Sequence, residues 1–136
     1  MKDAFILITG ATSEIGKAIS KELSSNYRLV LHGNNSEKLK KVIAECEDPL
    51  RHIIWQYDFT IIDNLFIDLK SFLKQESVVV SKLIHCAGVT QILPIKNFEL
   101  KYSREVFNIN FFSVVEIIRA LLKKNINNCI LNAFQL

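Results

Sequence analysis

The apolar residues of this chain fall in short, unbroken runs. "AFILI" at 4–8, "RLVLH" at 28–32, "HIIWQY" at 52–57, "VVVSKLIHC" at 78–86 and "CIL" at 129–131 each read as a strand. Most are continuous rather than alternating, as expected of strands covered on both faces. Between the runs the period changes. Leu39, Val42, Ile43 and Cys46 follow the i, i+3, i+4, i+7 spacing of a helix, with Glu37, Lys38, Lys40, Lys41 and Glu45 opposite. Ile62, Leu65, Phe66, Leu69 and Leu73 repeat that spacing, and Thr60 with Asp63 predicts a capping box in front of them. Strand and helix patterns alternate about every 25 residues, which predicts right-handed βαβ crossovers and hence a parallel α/β sheet.

The stretch from about Leu100 to Lys124 departs from this pattern. Glu105, Asn108, Glu116, Arg119 and Lys123 define one narrow polar stripe. Val106, Phe107, Ile109, Phe111, Val114, Val115, Ile117, Ile118, Leu121 and Leu122 occupy most of the remaining circumference. A helix that apolar needs partners on more than one side. The sheet supplies one. The other is expected from a later segment or another subunit, so a homo-oligomer paired through helix 100–124 is one expectation.

Composition narrows the class. At 136 residues and 49% apolar content the chain predicts one packed domain over 1–136 rather than a disordered segment. A net charge of +3 is too small a basic excess to argue for nucleic acid, and pairs such as "KLKK" and "LLKK" read as solvated helix faces. Cys46, Cys86 and Cys129 lack metal-ligand spacing and are odd in number, so neither a disulfide framework nor a metal site is expected. A reducing cytoplasm fits that usage. "MKDAFILITG" holds too short an apolar run for a signal peptide, and nothing approaches the roughly 18 apolar residues of a membrane span.

Candidate chemistry begins at the end of the first strand. Of the 4 glycines in the chain, Gly10 and Gly16 frame the turn in "ILITGATSEIG". A first glycine permits a tight turn out of a strand, and a later one lets helix and strand pack closely. The free N–H groups of the helix start then face an anion, to which the helix dipole adds roughly 0.3–1 kcal/mol of attraction. The spacing Thr9-Gly10-Ala11-Thr12-Ser13-Glu14-Ile15-Gly16 resembles the T-G-x-x-x-G-x-G signature of the short-chain dehydrogenases/reductases. Glu14 stands where the middle glycine is expected. A carboxylate there would repel a pyrophosphate unless it points to solvent.

Other segments carry the same resemblance in the same order. "HCAG" at 85–88 falls where the family has N-N-A-G, with Ala87 and Gly88 keeping the small residues beside the cofactor's ribose. His85 and Cys86 replace both asparagines, and their simpler readings are a strand-end histidine and a small buried thiol. Asp58 in "YDFT" resembles the position where an Asp and the following backbone group, here Phe59, contact adenine; a capping role is its plainer alternative. "VFNINFFS" resembles the segment around a helix-borne catalytic asparagine, with Asn110 in that slot, and an amide among aromatic rings has polar atoms to satisfy.

The resemblance implies a Rossmann-like, doubly wound parallel sheet of about five strands in the order 3-2-1-4-5, with helices on both faces. It implies NAD(P)(H) held by Gly10, Thr12, Ser13, Ile15, Gly16, Asn34, Asp58, Phe59, Ala87 and Gly88. After the second strand an acidic residue usually meets a free ribose 2′-OH and an Arg a 2′-phosphate. This chain offers "LHGNNSEKL", with Asn34 in the discriminating place and His32 nearby. Without a carboxylate there to repel a phosphate, NADP(H) is favoured weakly over NAD(H).

The family's fifth strand leads to a catalytic Ser, and a following helix carries Tyr-x-x-x-Lys. Here "NNCILN" begins that strand, but "AFQL" follows, with Phe134 and Gln135 where serines would stand. Four residues after Tyr27, Tyr57 and Tyr102 come Leu31, Ile61 and Val106, so no Tyr-x-x-x-Lys occurs. Loss of one acid–base group typically lowers a rate by roughly 10²–10⁴. Asn110 is therefore a lone remnant of the catalytic set. The chain reads as the C-terminally truncated front half of a longer enzyme, and the change from "CILN" to "AFQL" suggests a frame shift near codon 133. Two functions follow: an oxidoreductase-family fragment with a partial NAD(P)(H) site and no turnover, or a non-catalytic binding module that pairs through helix 100–124.

Overall fold

The computed structural model of the protein describes residues 4–122 and 129–132. Each apolar run is a strand: β1 (Ala4–Thr9), β2 (Arg28–Gly33), β3 (Ile53–Gln56), β4 (Val79–His85) and β5 (Cys129–Asn132). They form one sheet in the order β3-β2-β1-β4-β5, and every neighbouring pair is parallel. Helices α1 (Glu14–Ser24), α2 (Ser36–Ala44), α3 (Leu65–Gln75), α4 (Leu100–Phe107) and α5 (Ser113–Leu121) make the connections.

The unbroken runs have a simple cause. Successive strand residues point to opposite faces, and here both faces are covered. Ile6, Ile8, Leu29 and Leu31 pack on Leu39 and Val42 of α2 and on Ile19 and Leu23 of α1. Phe5, Leu7, Val30, Trp55 and Leu83 pack on Leu65 and Leu69 of α3 and on Val114 and Ile117 of α5. Each fully buried Leu or Ile contributes about 1.5–3 kcal/mol, so a one-residue register slip, which would exchange the two sets, is strongly disfavoured. The result is the doubly wound α/β architecture expected from the sequence. Among the described residues no helix is long and apolar enough to cross a membrane.

Local chemistry fixes the helix ends. Ser13 caps α1 by accepting from the Gly16 amide at 3.0 Å, and Asn35 caps α2 by accepting from the Lys38 amide at 3.0 Å. Past α3, Ser77 takes φ 52°, and the Val78 amide reaches back to the Leu73 carbonyl at 2.9 Å, a Schellman closure without its usual glycine.

Two local expectations need correction. The capping box at Thr60 and Asp63 does not form. Thr60 instead gives both its amide (2.9 Å) and its hydroxyl (2.8 Å) to Asp58 Oδ1, a tight local turn, and α3 starts only at Leu65, after Asn64, which makes no side-chain cap. Nor is 100–124 one regular helix. A π-turn over Asn108–Phe112 separates α4 from α5, with the Ser113 amide bonded to the Asn108 carbonyl, and α5 ends at Leu121; Lys123 and Lys124 lie outside the described residues.

Candidate functional site

The carboxyl ends of β1, β2 and β4 open onto a cleft of about 260 Å³. Strand order reverses across β1, between β2 and β4, and such switch points are where open α/β sheets bind ligands. A larger apolar cavity, about 400 Å³, lies between Leu73, Val78, Val80, Ala120 and Leu121 at the start of β4, at the other end of that strand from the cleft.

The turn after β1 is built around two glycines. Gly10 has φ +62°, and a Cβ on it would stand 2.7 Å from the Ala87 amide nitrogen. A Cβ on Gly16 would stand 2.1 Å from the Gly10 carbonyl oxygen. Only glycine lets α1 and the β4 loop come this close to the turn. Ser13 completes it: its hydroxyl donates to the Gly10 carbonyl (2.8 Å) while accepting from Gly16. Among the described residues the amides of Glu14 and Ile15, at the positive end of α1, have no hydrogen-bond partner. Those amides suit an anion. The Glu14 carboxylate does not oppose one directly, because its side chain is 92% exposed and paired with Lys17 at 3.2 Å.

Of the residues expected at the site, Gly10, Thr12, Ser13, Asn34, Asp58, Phe59, Ala87 and Gly88 line this one cleft. Gly16 lies beneath it, and the Ile15 side chain faces outward. Asn110 sits beside it. Its Oδ1 accepts from the Val89 amide at 2.8 Å and its Nδ2 donates to the Val89 carbonyl at 2.7 Å, so the side chain pairs with the backbone after Gly88 as a neighbouring strand would. The π-turn, whose extra residue shifts the helix register, contains this asparagine.

Sequence reasoning passed over the polar layer under the cleft. Thr9 Oγ1 accepts from the Cys86 (3.2 Å) and Ala87 (3.3 Å) amides, so its hydroxyl proton goes to His85 Nδ1 at 2.8 Å. His85 Nε2, buried, has no partner among the described residues. Burial pushes its pKa down to about 4. His32 Nδ1 accepts from the Gly10 amide at 3.3 Å, which leaves the ring proton on Nε2 to be donated to the Tyr57 carbonyl at 2.9 Å. Its ring stacks on Phe59 at 3.9 Å, and burial lowers its pKa to about 3, a like-charge contribution from His85 adding to the effect. Both imidazoles are therefore neutral. Tyr57, also on the cleft wall, donates its hydroxyl to the Ile61 carbonyl at 2.6 Å, and burial followed by nearby carboxylates raises its pKa. Burial likewise raises the Cys86 thiol. Such groups are poor proton donors or nucleophiles at neutral pH. Among the described residues no group of three His, Cys, Asp or Glu gathers to hold a metal.

The chain as a whole resembles known proteins in sequence and in fold. An uncharacterised oxidoreductase of Schizosaccharomyces pombe is 29% identical over 118 residues, covering 84% of this chain and 45% of that protein. Dehydrogenase/reductase SDR family member 7B of Xenopus laevis is 28% identical over 141 residues, covering 94% and 42%. The chain thus spans about half the length of the curated relatives it matches. Among solved structures, a short chain dehydrogenase from Burkholderia cenocepacia in complex with NADP superposes with a TM-score of 0.76 at 21% identity, covering 88% of this chain and 50% of that one. A 3-oxoacyl-[acyl-carrier protein] reductase from Brucella melitensis gives 0.75 at 20% identity, covering 88% and 46%. The family model for short chain dehydrogenases matches residues 4–129, and with β1 to β5 in the order described, the chain belongs to the short-chain dehydrogenase family.

Proposed function

We propose that the chain folds as one dinucleotide-binding domain and holds NAD(P)(H) in the cleft above β1, β2 and β4, without itself turning over a substrate. The observation that carries this reading is the pair Gly10 and Gly16, where a Cβ has no room, joined to a helix start whose Glu14 and Ile15 amides are unpaired. In it, the amides behind Gly10 hold the pyrophosphate, Asp58 and the Phe59 backbone flank adenine, and Ala87 and Gly88 admit the ribose to the end of β4. A nicotinamide held there would supply hydride chemistry toward a carbonyl or alcohol, given proton-moving groups beside it. The chain's own contribution is orientation: Asn110 clamps Val89 and so fixes the wall next to Gly88. No Tyr-x-x-x-Lys is present to move a proton.

NADP(H) is favoured over NAD(H), because Asn34 rather than a carboxylate follows β2. Titration with NADPH and NADH, followed by energy transfer from Trp55, tests both points. The expected NADPH dissociation constant lies in the micromolar-to-millimolar range, an affinity of roughly 4–8 kcal/mol. A constant near ~10 nM contradicts the partial site, and no binding at millimolar ligand contradicts the cofactor reading. Reduction of any ketone by the 15.6 kDa chain with a nicotinamide donor would refute the absence of turnover.

One observation favours a second reading, association through α4 and α5. Phe107 (60% exposed) of α4, Phe111 (55%) of the π-turn and Val115 (42%) of α5 are outward apolar residues along this stretch. Contiguous apolar patches beyond a few hundred Å² usually mark association. Sedimentation should find a small oligomer that Phe111→Lys dissociates; a monodisperse monomer contradicts this reading.

A further inference from the structure

Below the cleft, one side chain touches both of its walls. His32 Nδ1 receives the Gly10 amide at 3.3 Å, on the phosphate side, and its Nε2–H reaches the Tyr57 carbonyl at 2.9 Å, on the adenine side. Its ring lies flat on Phe59, 3.9 Å away at 7°. The ring is buried and lines the cleft floor, and both nitrogens are engaged, so it has no free donor to offer a ligand directly. Its engagement with Gly10 has a consequence for the turn. The Gly10 amide points inward, at the imidazole, while the Ala11 amide bonds the His32 carbonyl at 2.9 Å. Two successive peptides of the phosphate turn are thus fastened to one residue of β2, just ahead of the helix start that carries the unpaired Glu14 and Ile15 amides.

We propose that His32 is a positioning residue for the dinucleotide: Nδ1 sets the turn that meets the pyrophosphate, and Nε2 with the Phe59 stack sets the wall that meets adenosine. This rests on the cofactor reading above. The two nitrogens then govern different parts of one ligand, which a merely structural histidine would not do.

Two near-isosteric variants separate them. In His32→Asn the side-chain oxygen falls near the place of Nδ1 and keeps an acceptor for Gly10, but nothing reaches Tyr57. In His32→Gln the terminal amide reaches toward Tyr57, and the Gly10 amide loses its acceptor. Adenosine and ADP-ribose are titrated into the parent and both variants. His32→Gln, which keeps a reach toward Tyr57 but loses the ring stacked on Phe59, should weaken adenosine less than about fivefold and ADP-ribose about tenfold, the excess on ADP-ribose reporting the lost Gly10 acceptor. His32→Asn should weaken both ligands by a similar factor, about fivefold, because adenosine is common to them. Equal losses on both ligands in both variants, or none, overturn the proposal while the cofactor reading stands. If the parent binds neither ligand, the cofactor reading falls and takes this one with it.

A measurement on the unaltered chain covers the case of a variant that does not fold. With ¹⁵N label, ADP-ribose should shift the Gly10 amide and its coupling to His32 Nδ1, while adenosine alone should shift mainly the Nε2–H signal. A Gly10 amide that ignores ADP-ribose overturns the proposal.

Discussion

Gly16→Ala inverts an ordinary rule. Gly16 is the third residue of α1, and replacing an interior helical glycine by alanine normally stabilises by about 0.5–1 kcal/mol. Here the new methyl would stand 2.1 Å from the Gly10 oxygen, 2.8 Å from Ala11 Cα and 2.9 Å from the Gly10 carbonyl carbon, against ordinary contact that begins near 3.4 Å. All three neighbours are backbone, so no side chain can swing aside. Compression of this kind typically destabilises by about 1–3 kcal/mol, and a contact this short belongs at the upper end. Retreat of α1 is no cheaper. The Gly10 oxygen accepts from the Ser13 amide at 3.1 Å and from its hydroxyl at 2.8 Å, and both bonds would lengthen, at about 0.5–1.5 kcal/mol each. Either route outweighs the helical gain, leaving a net loss of about 2 kcal/mol. Urea unfolding followed by Trp55 emission reads this directly, since Trp55 is buried against α3 and bonded to Asp68 at 2.8 Å. A variant as stable as the parent, or more so, refutes the close approach of α1 to the β1 turn.

Gly88→Ala should behave oppositely: its Cβ would meet only Asn110 Oδ1 at 3.5 Å, so stability should change by less than about 0.5 kcal/mol while NADPH affinity drops at least about tenfold, and unchanged affinity removes Gly88 from the ligand wall. Acid should destabilise the fold, because His32 and His85 have folded pKa values of about 3 and about 4, below the unfolded value near 6.5. The unfolded chain then binds more protons between those limits, so stability is fully present above pH ~6.5 and falls by an order of 2 kcal/mol per histidine at pH ~5, with the loss ending only below the folded pKa values. Denaturation midpoints that stay flat from pH ~7 to ~5 contradict two buried neutral imidazoles. Ser77→Gly should stabilise by about 0.5–1 kcal/mol in thermal melts by relieving φ 52° past α3, and a destabilised variant contradicts that geometry. Asn110→Ala should speed exchange of the Val89 amide selectively, leaving β1 and β2 amides protected; uniform acceleration would mean that Asn110 supports the whole fold.

Much of the architecture was legible because burial on two faces writes itself as unbroken apolar runs, and the strand bounds at Arg28 and Cys129 coincide with the ends of such runs. The glycine spacing marked the turn, since a Cβ at Gly10 or Gly16 has nowhere to go. What failed were contests between local partners. Thr60 looked like a cap for α3, but Asp58, two residues away, captures both its donors before the helix starts. The π-turn was invisible for a different reason: it brings Asn110 onto Val89, 21 residues away, a demand that no helical period encodes. His32 was seen only as a neighbour of Asn34. Its importance depends on sheet order, which puts β2 beside β1 and so the imidazole under Gly10.

These contacts change how substitutions in the cleft should be read. Ser13, Asp58, His32 and Asn110 all bear polar side chains at or beside the cleft, yet each is engaged within the protein. Ser13 Oγ serves Gly10 and Gly16; Asp58 Oδ1 serves Thr60; His32 serves Gly10 and Tyr57; Asn110 serves Val89. What is left for an anion at the α1 end is mainly backbone N–H, which no side-chain replacement removes. Truncating any of the four would thus weaken a ligand by letting backbone drift, and its effect should appear in the protection of the backbone it holds and in binding together. Gly88→Ala, which adds bulk and breaks no bond, should affect binding alone. A cleft that binds through side-chain contacts would give the reverse: Ser13→Ala and Asn110→Ala with parental protection of the bonded backbone and lost affinity.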